Sequence, residues 1–118
     1  MDLPAKLQIK PGTPVTVLAA PAGGPDLAGL ELAGRPAEAG AVIAFARRLA
    51  DLAGVAQPAI EAARQDKLAW IAYPKAGQLG TDLNRDSLAR SVADHGIRPV
   101  RQVALDEVWS ALRFRPAR

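Results

Sequence analysis

The feature that most constrains this chain's fold is a pair of short runs, residues 41–46 and 68–73, that contain only apolar and aromatic side chains. A strand with one face in water alternates polar and apolar residues, whereas a strand that is apolar on both faces must be covered on both sides, as at the centre of a parallel sheet. The Ala-rich segment between the runs predicts a helix over residues 48–65 with a bend near Pro58, since proline interrupts a helix interior. The sequence therefore predicts a strand–helix–strand unit with a right-handed crossover.

Weaker signals extend this unit into a larger sheet. Asn84, a residue type that caps helix N-termini, and Gly96, a common C-terminal stop, bracket a predicted helix over residues 85–95. Asp106 and Glu107 form a tight link that makes the last strand antiparallel to the one before it. The additional strands are predicted at residues 15–20, 30–32, 100–105 and 109–115. The expected fold is a single α/β domain of 118 residues: a small three-layer, Rossmann-like arrangement with a mostly parallel sheet and an antiparallel C-terminal strand.

The scarce residue types exclude several kinds of chemistry. The chain has no cysteine, which rules out disulfides, thiolate nucleophiles and Cys-ligated zinc, and its single histidine, His95, rules out His-rich metal sites. We expect neither a metal nor a cofactor. No apolar run approaches the roughly 20 residues that span a bilayer, and the first residues lack the ordered regions of a signal peptide. We therefore expect a soluble, cytoplasmic protein that does not bind membranes.

The net charge of +3 resides in the second part of the chain. The excess of Lys and Arg follows residue 46, but it is mild and is not interleaved with aromatic side chains as in a dedicated nucleic-acid binder. We expect no nucleic-acid partner, and weak nucleic-acid binding remains an alternative that predicts steeply salt-dependent affinity. Arg113, Arg115 and Arg118 are interpreted as a solvated sheet edge that discourages aggregation. An edge at residues 109–115 would also allow two copies to pair as a homo-oligomer.

Four motifs resemble a known family. KPG before the first strand, AYPK at the end of the run 68–73, TDL ahead of a helix and DEVWSALRF near the C-terminus are similar to a small bacterial family of domains of unknown function. The resemblance covers essentially the whole chain and implies a compact, truncated methyltransferase-like Rossmann core. It implies no activity, substrate or cofactor.

The predicted parallel strands also predict where a ligand would bind. Their carboxyl ends share one edge of the sheet, and open α/β sheets bind ligands at that edge. The glycine, charged and aromatic residues expected there form the candidate ligand-binding set: Gly23, Gly24, Arg47, Lys75, Asp82, Asp106 and Trp109. We assign no catalytic residue, because this set contains no nucleophile paired with a base and no group of metal ligands.

Each of these candidates also has a purely structural interpretation. Gly23 and Gly24 lie in a loop without the GxGxxG pattern, so a plain turn is favoured over a phosphate cradle. Lys75 follows a proline at the mouth of a central strand, where a lysine either binds a phosphate or carboxylate as a point charge or is simply exposed. Asp82, together with Thr81, either binds a ligand hydroxyl or organises its loop through bonds to the backbone.

The residues near the C-terminus are interpreted in the same way. Asp106 is expected to form a turn rather than an acid–base pair with Glu107, because adjacent strand residues point to opposite faces. Trp109 could floor a pocket, and packing is favoured. His95 ends a helix, where a positive charge interacts favourably with the helix dipole, and it is given no catalytic role.

Two functions of different class fit this pattern. The leading hypothesis is a non-catalytic or degenerate Rossmann-like module that binds a small anionic ligand or a protein partner at the loops around Lys75. The alternative is a minimal enzyme on a nucleotide-derived substrate, with Asp82 or Asp106 as its acid–base group. Methyl transfer from S-adenosylmethionine is not expected, because Pro25 interrupts the helix that should follow the glycine loop and removes one backbone donor.

Overall fold

The computed structural model describes residues 3–27, 29–35 and 38–117, and within them six strands and three α-helices. In chain order these elements are α1 (Leu3–Lys6), β1 (Pro14–Leu18), β2 (Glu31–Leu32), β3 (Ala41–Phe45), α2 (Gln57–Arg64), β4 (Leu68–Pro74), α3 (Arg85–Ala93), β5 (Ile97–Ala104) and β6 (Trp109–Pro116). Every predicted strand is therefore present, with bounds shifted by a few residues. None of these helices has the length and apolar character needed to cross a membrane.

All six strands belong to one sheet, in the order β2-β1-β3-β4-β6-β5. The first four pair in parallel, and β6 pairs antiparallel with both β4 and β5. The predicted α/β sheet, mostly parallel with an antiparallel C-terminal strand, is confirmed. The expectation that residues 109–115 form a sheet edge is wrong, because β6 lies between β4 and β5 and its backbone is paired on both sides. Two copies therefore cannot pair along β6, and Arg118 lies outside the described residues.

The two central strands, β3 and β4, are covered on both faces, as their apolar sequences require. On one face Ile71 packs in a cluster with Ile60 of α2 and Leu88 of α3. On the other face Trp70 packs against Leu7, and its indole N–H donates to the Leu7 carbonyl at 3.0 Å. In the described residues this second face is covered by the short α1 and by coil, with no crossover helix among them.

The connection from β3 to β4 differs in detail from the predicted helix over residues 48–65. It is divided into a 3₁₀ helix, Leu49–Ala53, and α2. Pro58 lies in the first turn of α2. Backbone N–H groups in the first turn have no partner within the helix, so the N–H that proline lacks costs no helical hydrogen bond there. The break therefore lies at residues 54–56, before the proline and not at it.

The predicted start of α3 is confirmed, whereas the helix ends at Ala93, two residues before the predicted end, and its C-cap is Asp94 instead of Gly96. The Asn84 side-chain oxygen accepts the N–H of Ser87 at 2.8 Å, which satisfies one of the unpaired donors of the first turn. Gly96 follows the helix with a φ of 81°, a conformation that glycine adopts without a steric cost. This helix end directs the chain into β5.

Candidate functional site

A cavity opens at the carboxyl ends of β1 and β3. It consists of two hollows, of about 200 and 360 Å³, that share four lining residues: Pro21, Ala22, Arg47 and Trp109. β1 and β3 are neighbours in the sheet, but the strand that follows each of them in the chain lies in the opposite direction: β2 lies beyond β1, and β4 lies beyond β3. The cavity therefore lies where the strand order reverses, which is the position at which open α/β sheets bind ligands.

Five of the seven candidate residues line the cavity: Gly23, Gly24, Arg47, Asp106 and Trp109. Lys75 and Asp82 line neither hollow. The apolar residues that complete the lining were not predicted from the sequence; they include Val55 and Leu79, whose exposed fractions are 37% and 43%. Apolar side chains in loops next to glycine were the only local signal for them, and that signal does not say which cavity they reach.

The glycine loop after β1 is a tight turn. The Gly24 N–H donates to the Pro21 carbonyl at 3.1 Å, and Gly23 has a φ of 72°. A Cβ atom on Gly24 would lie 2.4 Å from Cγ of Pro21, so the turn itself requires glycine there. No helix follows in the described residues before β2, so the loop does not offer a helix N-terminus to a phosphate.

Arg47 is the cation that lines both hollows. Its backbone is held from two sides, because its N–H donates to Asp51 at 2.9 Å and its carbonyl accepts from the Thr81 hydroxyl. Its side chain is exposed and makes no hydrogen bond or ion pair within the described residues. A guanidinium without a partner on a fixed backbone is well prepared to bind an anion, since little backbone order remains to be imposed by the ligand.

Thr81 and Asp82, in the loop after β4, form hydrogen bonds to the backbone of the loop after β3. Besides its bond to Arg47, Thr81 accepts the Leu83 N–H at 3.0 Å. Asp82 accepts the Leu49 N–H at 2.8 Å, at the start of the 3₁₀ helix. Both side chains therefore organise the backbone, as the structural interpretation proposed, and Asp82 supports the cavity wall without lining the cavity.

Trp109 both packs and lines the cavity. It is 2% exposed, and its ring meets Phe45 edge to face, with 5.2 Å between centroids and 74° between planes. Its indole N–H makes no hydrogen bond within the described residues. Asp106 accepts the N–H groups of Val108 and Trp109 at 2.8 and 2.7 Å, which forms the predicted turn and fixes the position of the indole.

Lys75 contributes to the site through its backbone. Its N–H donates to the Val108 carbonyl at 2.7 Å, and its carbonyl accepts the Gln78 N–H at 2.9 Å. The resulting turn carries Leu79, with a φ of 53°, to the cavity. The centre of positive charge at this edge is thus Arg47, not Lys75.

The cavity has the groups for binding and few groups for catalysis. Asp51 and Asp106, the two carboxylates in its lining, each accept two backbone N–H groups. The lining contains no serine, cysteine or histidine. Across the described part of the chain, no three side chains that bind metals lie close enough together to hold an ion.

The side chains with shifted pKa values lie outside the cavity. Burial raises the pKa of Tyr73, which belongs to the cluster on the helical face of the sheet. Burial lowers the pKa of Arg113, whereas the hydrogen bond to Asp66 raises the pKa of Arg115. Neither arginine lines the cavity.

The chain matches no protein-family profile, no curated protein and no solved structure. The function of the cavity is therefore inferred from the position and chemistry of its residues.

Proposed function

We propose that the protein is a non-catalytic, Rossmann-like module that binds a small organic anion in the cavity between the ends of β1 and β3. The observation that carries this proposal is the coincidence of two independent features. The cavity lies where the strand order reverses, and Arg47, which lines both of its hollows, has no partner for its guanidinium within the described residues.

The lining indicates the chemistry of the ligand. Arg47 suits a carboxylate or phosphate group, which it can bind through two parallel N–H donors. Val55, Leu79 and Phe45 offer apolar contacts, and the indole N–H of Trp109 has no partner within the described residues. The ligand therefore carries one anionic group and an apolar or planar part. The larger hollow, about 360 Å³, lies within the range of roughly 300–1,000 Å³ that is common for small-molecule sites.

The strand arrangement supports the likeness to methyltransferase-like Rossmann domains, whose sheet also has an antiparallel strand after a parallel series; here β6 has that position. The likeness to the small bacterial family rests on the four sequence motifs. The turn after β1 argues against S-adenosylmethionine as the ligand, because no helix N-terminus follows it in the described residues. The binding function is preferred to the enzyme alternative because the carboxylates of the lining already accept backbone N–H groups.

The experiment is a thermal-shift screen of the wild-type protein against aromatic carboxylates, nucleoside monophosphates, S-adenosylmethionine, phosphate and sulfate. A ligand that binds only the folded protein adds about 2.7 kcal/mol at 100 times its Kd, which is readily measured. Arg47→Gln removes the cation and leaves the backbone bonds to Asp51 and Thr81 in place. We expect this variant to lose the shift while keeping the melting temperature of the unliganded protein.

Arg48→Gln is the matched control, since Arg48 is the neighbouring exposed arginine and lines neither hollow. It should keep the full ligand-induced shift. Equal loss in the two variants would mean that net charge alone attracts the anion. The absence of a shift with any of these anions would refute binding of a small anion and direct the search to a protein partner.

A further inference from the structure

Four arginines lie together on one face of the sheet, at the end opposite the cavity. In the antiparallel register of β5 and β6, Arg98 is directly opposite Arg115, and Arg101 is directly opposite Arg113. Directly opposite residues project from the same face, and so do residues two apart in one strand. These four residues, the arginine quartet, therefore share one face. β6 runs antiparallel to β4, so the quartet lies toward the amino end of β4, where Phe114 pairs with Ala69.

A β-bulge makes this arrangement possible. The register shifts between Pro99 and Arg101, which leaves Val100 as an extra residue in β5. Arg98 and Arg101 are three apart, so in a regular strand they would project from opposite faces. The bulge brings them to the same face, a re-aiming of side chains that is typical of bulges near functional sites.

The arrangement is unfavourable for folding. Like charges that are directly opposite in a sheet destabilise it, and the quartet contains two such pairs side by side. The Nε atom of Arg113 is buried and has no hydrogen-bond partner in the described structure. Burial, followed by the charge of Arg115, lowers the pKa of Arg113; Asp66 acts in the opposite direction, and the charge of Arg101 lowers the pKa further. An arrangement with these costs is expected to persist only where it has a use.

Protein groups neutralise the quartet only in part. Asp66 accepts from Nε and Nη2 of Arg115 at 3.1 and 3.2 Å, and Gln8 accepts from Nη1 of Arg113 at 2.7 Å. Among the described residues, Asp66 is the carboxylate in ion-pair contact with the quartet. A hollow of about 130 Å³, lined by Asp66, Arg98, Arg115 and Pro116, lies at one end of it.

The positive charge of the protein is concentrated at this place. Outside the quartet the chain has eleven Lys and Arg against twelve Asp and Glu. A protein that follows an extended nucleic-acid strand needs a longer basic stripe and aromatic side chains on which bases stack. Trp70, on the same face, is fully buried and offers no such platform.

We propose that the arginine quartet binds a compact oligophosphate, meaning two or more adjacent phosphate groups, either as a free oligophosphate or as the phosphate chain of a nucleotide. Directly opposite residues of the two strands lie about 5 Å apart, and residues two apart in one strand lie about 7 Å apart. Long guanidinium side chains at these spacings can reach one oligophosphate together. Arg98 and Arg101, whose side chains make no hydrogen bond or ion pair among the described residues, can each donate two parallel hydrogen bonds to a phosphate, and the geometry of the fork favours arginine over lysine for this purpose. Arg113 and Arg115 contribute the donors that Gln8 and Asp66 do not occupy.

The experiment is isothermal titration of the wild-type protein with inorganic triphosphate at low ionic strength. Arg98→Gln/Arg101→Gln removes two exposed members of the quartet, neither of which is in an ion pair shorter than 4 Å among the described residues. We expect this double variant to bind triphosphate at least tenfold more weakly. Arg64→Gln/Arg85→Gln, which removes two exposed arginines from α2 and α3, is the control with the same loss of charge and should bind within twofold of the wild type.

A parallel titration distinguishes the two sources of phosphate. A nucleoside triphosphate that binds tenfold more tightly than triphosphate identifies a nucleotide as the ligand, and equal affinity identifies the phosphate chain. The double variant should also unfold at the same or a higher urea concentration than the wild type, because two repulsive pairs are removed.

Several results would overturn the proposal. If both double variants lost the same affinity for triphosphate, the binding would depend on net charge and not on the quartet. Loss of triphosphate binding in Arg47→Gln, with normal binding in Arg98→Gln/Arg101→Gln, would assign the anion to the cavity and support the proposed function alone. Binding of a single-stranded oligonucleotide that triphosphate does not displace would identify a nucleic-acid surface.

Discussion

Replacing Trp70 with Phe tests the idea that one hydrogen bond holds the N-terminal segment on the sheet. Trp70 is 0% exposed and Leu7 is 1% exposed, so the bond between them lies in the core. The substitution leaves the Leu7 carbonyl without this donor, at a cost of about 1–3 kcal/mol. The smaller ring also leaves a void that costs roughly 1 kcal/mol. We expect the free energy of unfolding to fall by about 2–4 kcal/mol, a large part of the ~5–15 kcal/mol typical of a domain.

The measurement is urea denaturation followed by circular dichroism, with thermal melting as a second probe. A domain of this size loses about 3–5 °C in Tm for each kcal/mol, so Tm should fall by roughly 10 °C. Hydrogen exchange at residues 3–9 should rise with it, because the segment loses its attachment to β4.

Trp109→Phe is the matched control. It makes the same change at a site that is also buried, but the indole N–H of Trp109 has no partner within the described residues. It should cost about 1 kcal/mol, so the difference between the two variants measures the buried hydrogen bond. Equal costs, or a cost below about 1 kcal/mol for Trp70→Phe, would refute this reasoning.

Three further predictions concern the ionisation of Tyr73 and the loops that carry Gly24 and Asp82. Tyr73 is the only tyrosine, and its raised folded-state pKa means that its stabilising contribution is complete below the unfolded pKa of about 10 and is lost as the pH rises through the folded value. Absorbance at alkaline pH should show a delayed phenolate, and Tyr73→Phe should reduce the alkaline fall in the urea midpoint; an unshifted titration would contradict this. Gly24→Ala places a Cβ 2.4 Å from Cγ of Pro21 and should destabilise the fold by about 1–3 kcal/mol. Gly34→Ala meets no atom within 4 Å and should leave the urea midpoint unchanged. Asp82→Ala removes an acceptor at the start of the 3₁₀ helix and should cost about 1 kcal/mol, with faster hydrogen exchange in the loop after β3; unaltered exchange there would argue against the fastening role.

Local rules were sufficient for several elements. The two runs that became β3 and β4 are apolar on both faces, are short and are bounded by glycine or proline, which favours strands covered on both sides. Asn84 and Asp106 have short polar side chains that accept hydrogen bonds from nearby backbone N–H groups. Each partner lies no more than three positions away in the chain, so both roles can be predicted from the local sequence. Pro58 shows the limit of such rules, since the same residue is compatible with a bend and with the first turn of a new helix.

The candidate site was predictable in part. Arg47, Gly23 and Gly24 follow strands, and the parallel arrangement predicts that strand ends meet at one edge. Lys75 was expected at its centre because it follows a strand too, yet the position of its side chain depends on how the loop turns afterwards. Leu79 reaches the cavity only because that loop turns back. The hydrogen bond from the Thr81 hydroxyl to the Arg47 carbonyl joins residues 34 apart in sequence, so local rules do not predict it.

By itself the sequence determined the central parallel strands, the Asn84 cap of α3 and the turn before the last strand, because each depends on residues that are neighbours in the chain. Only the tertiary structure decided that β6 lies between β4 and β5 and that Trp70 bonds to a carbonyl 63 residues away. It also decided that Arg98 and Arg101 share a face with the arginines of β6. Strand order and register are chosen by the packing of the whole sheet, and a shift of one residue in register would send each of these side chains to the other face.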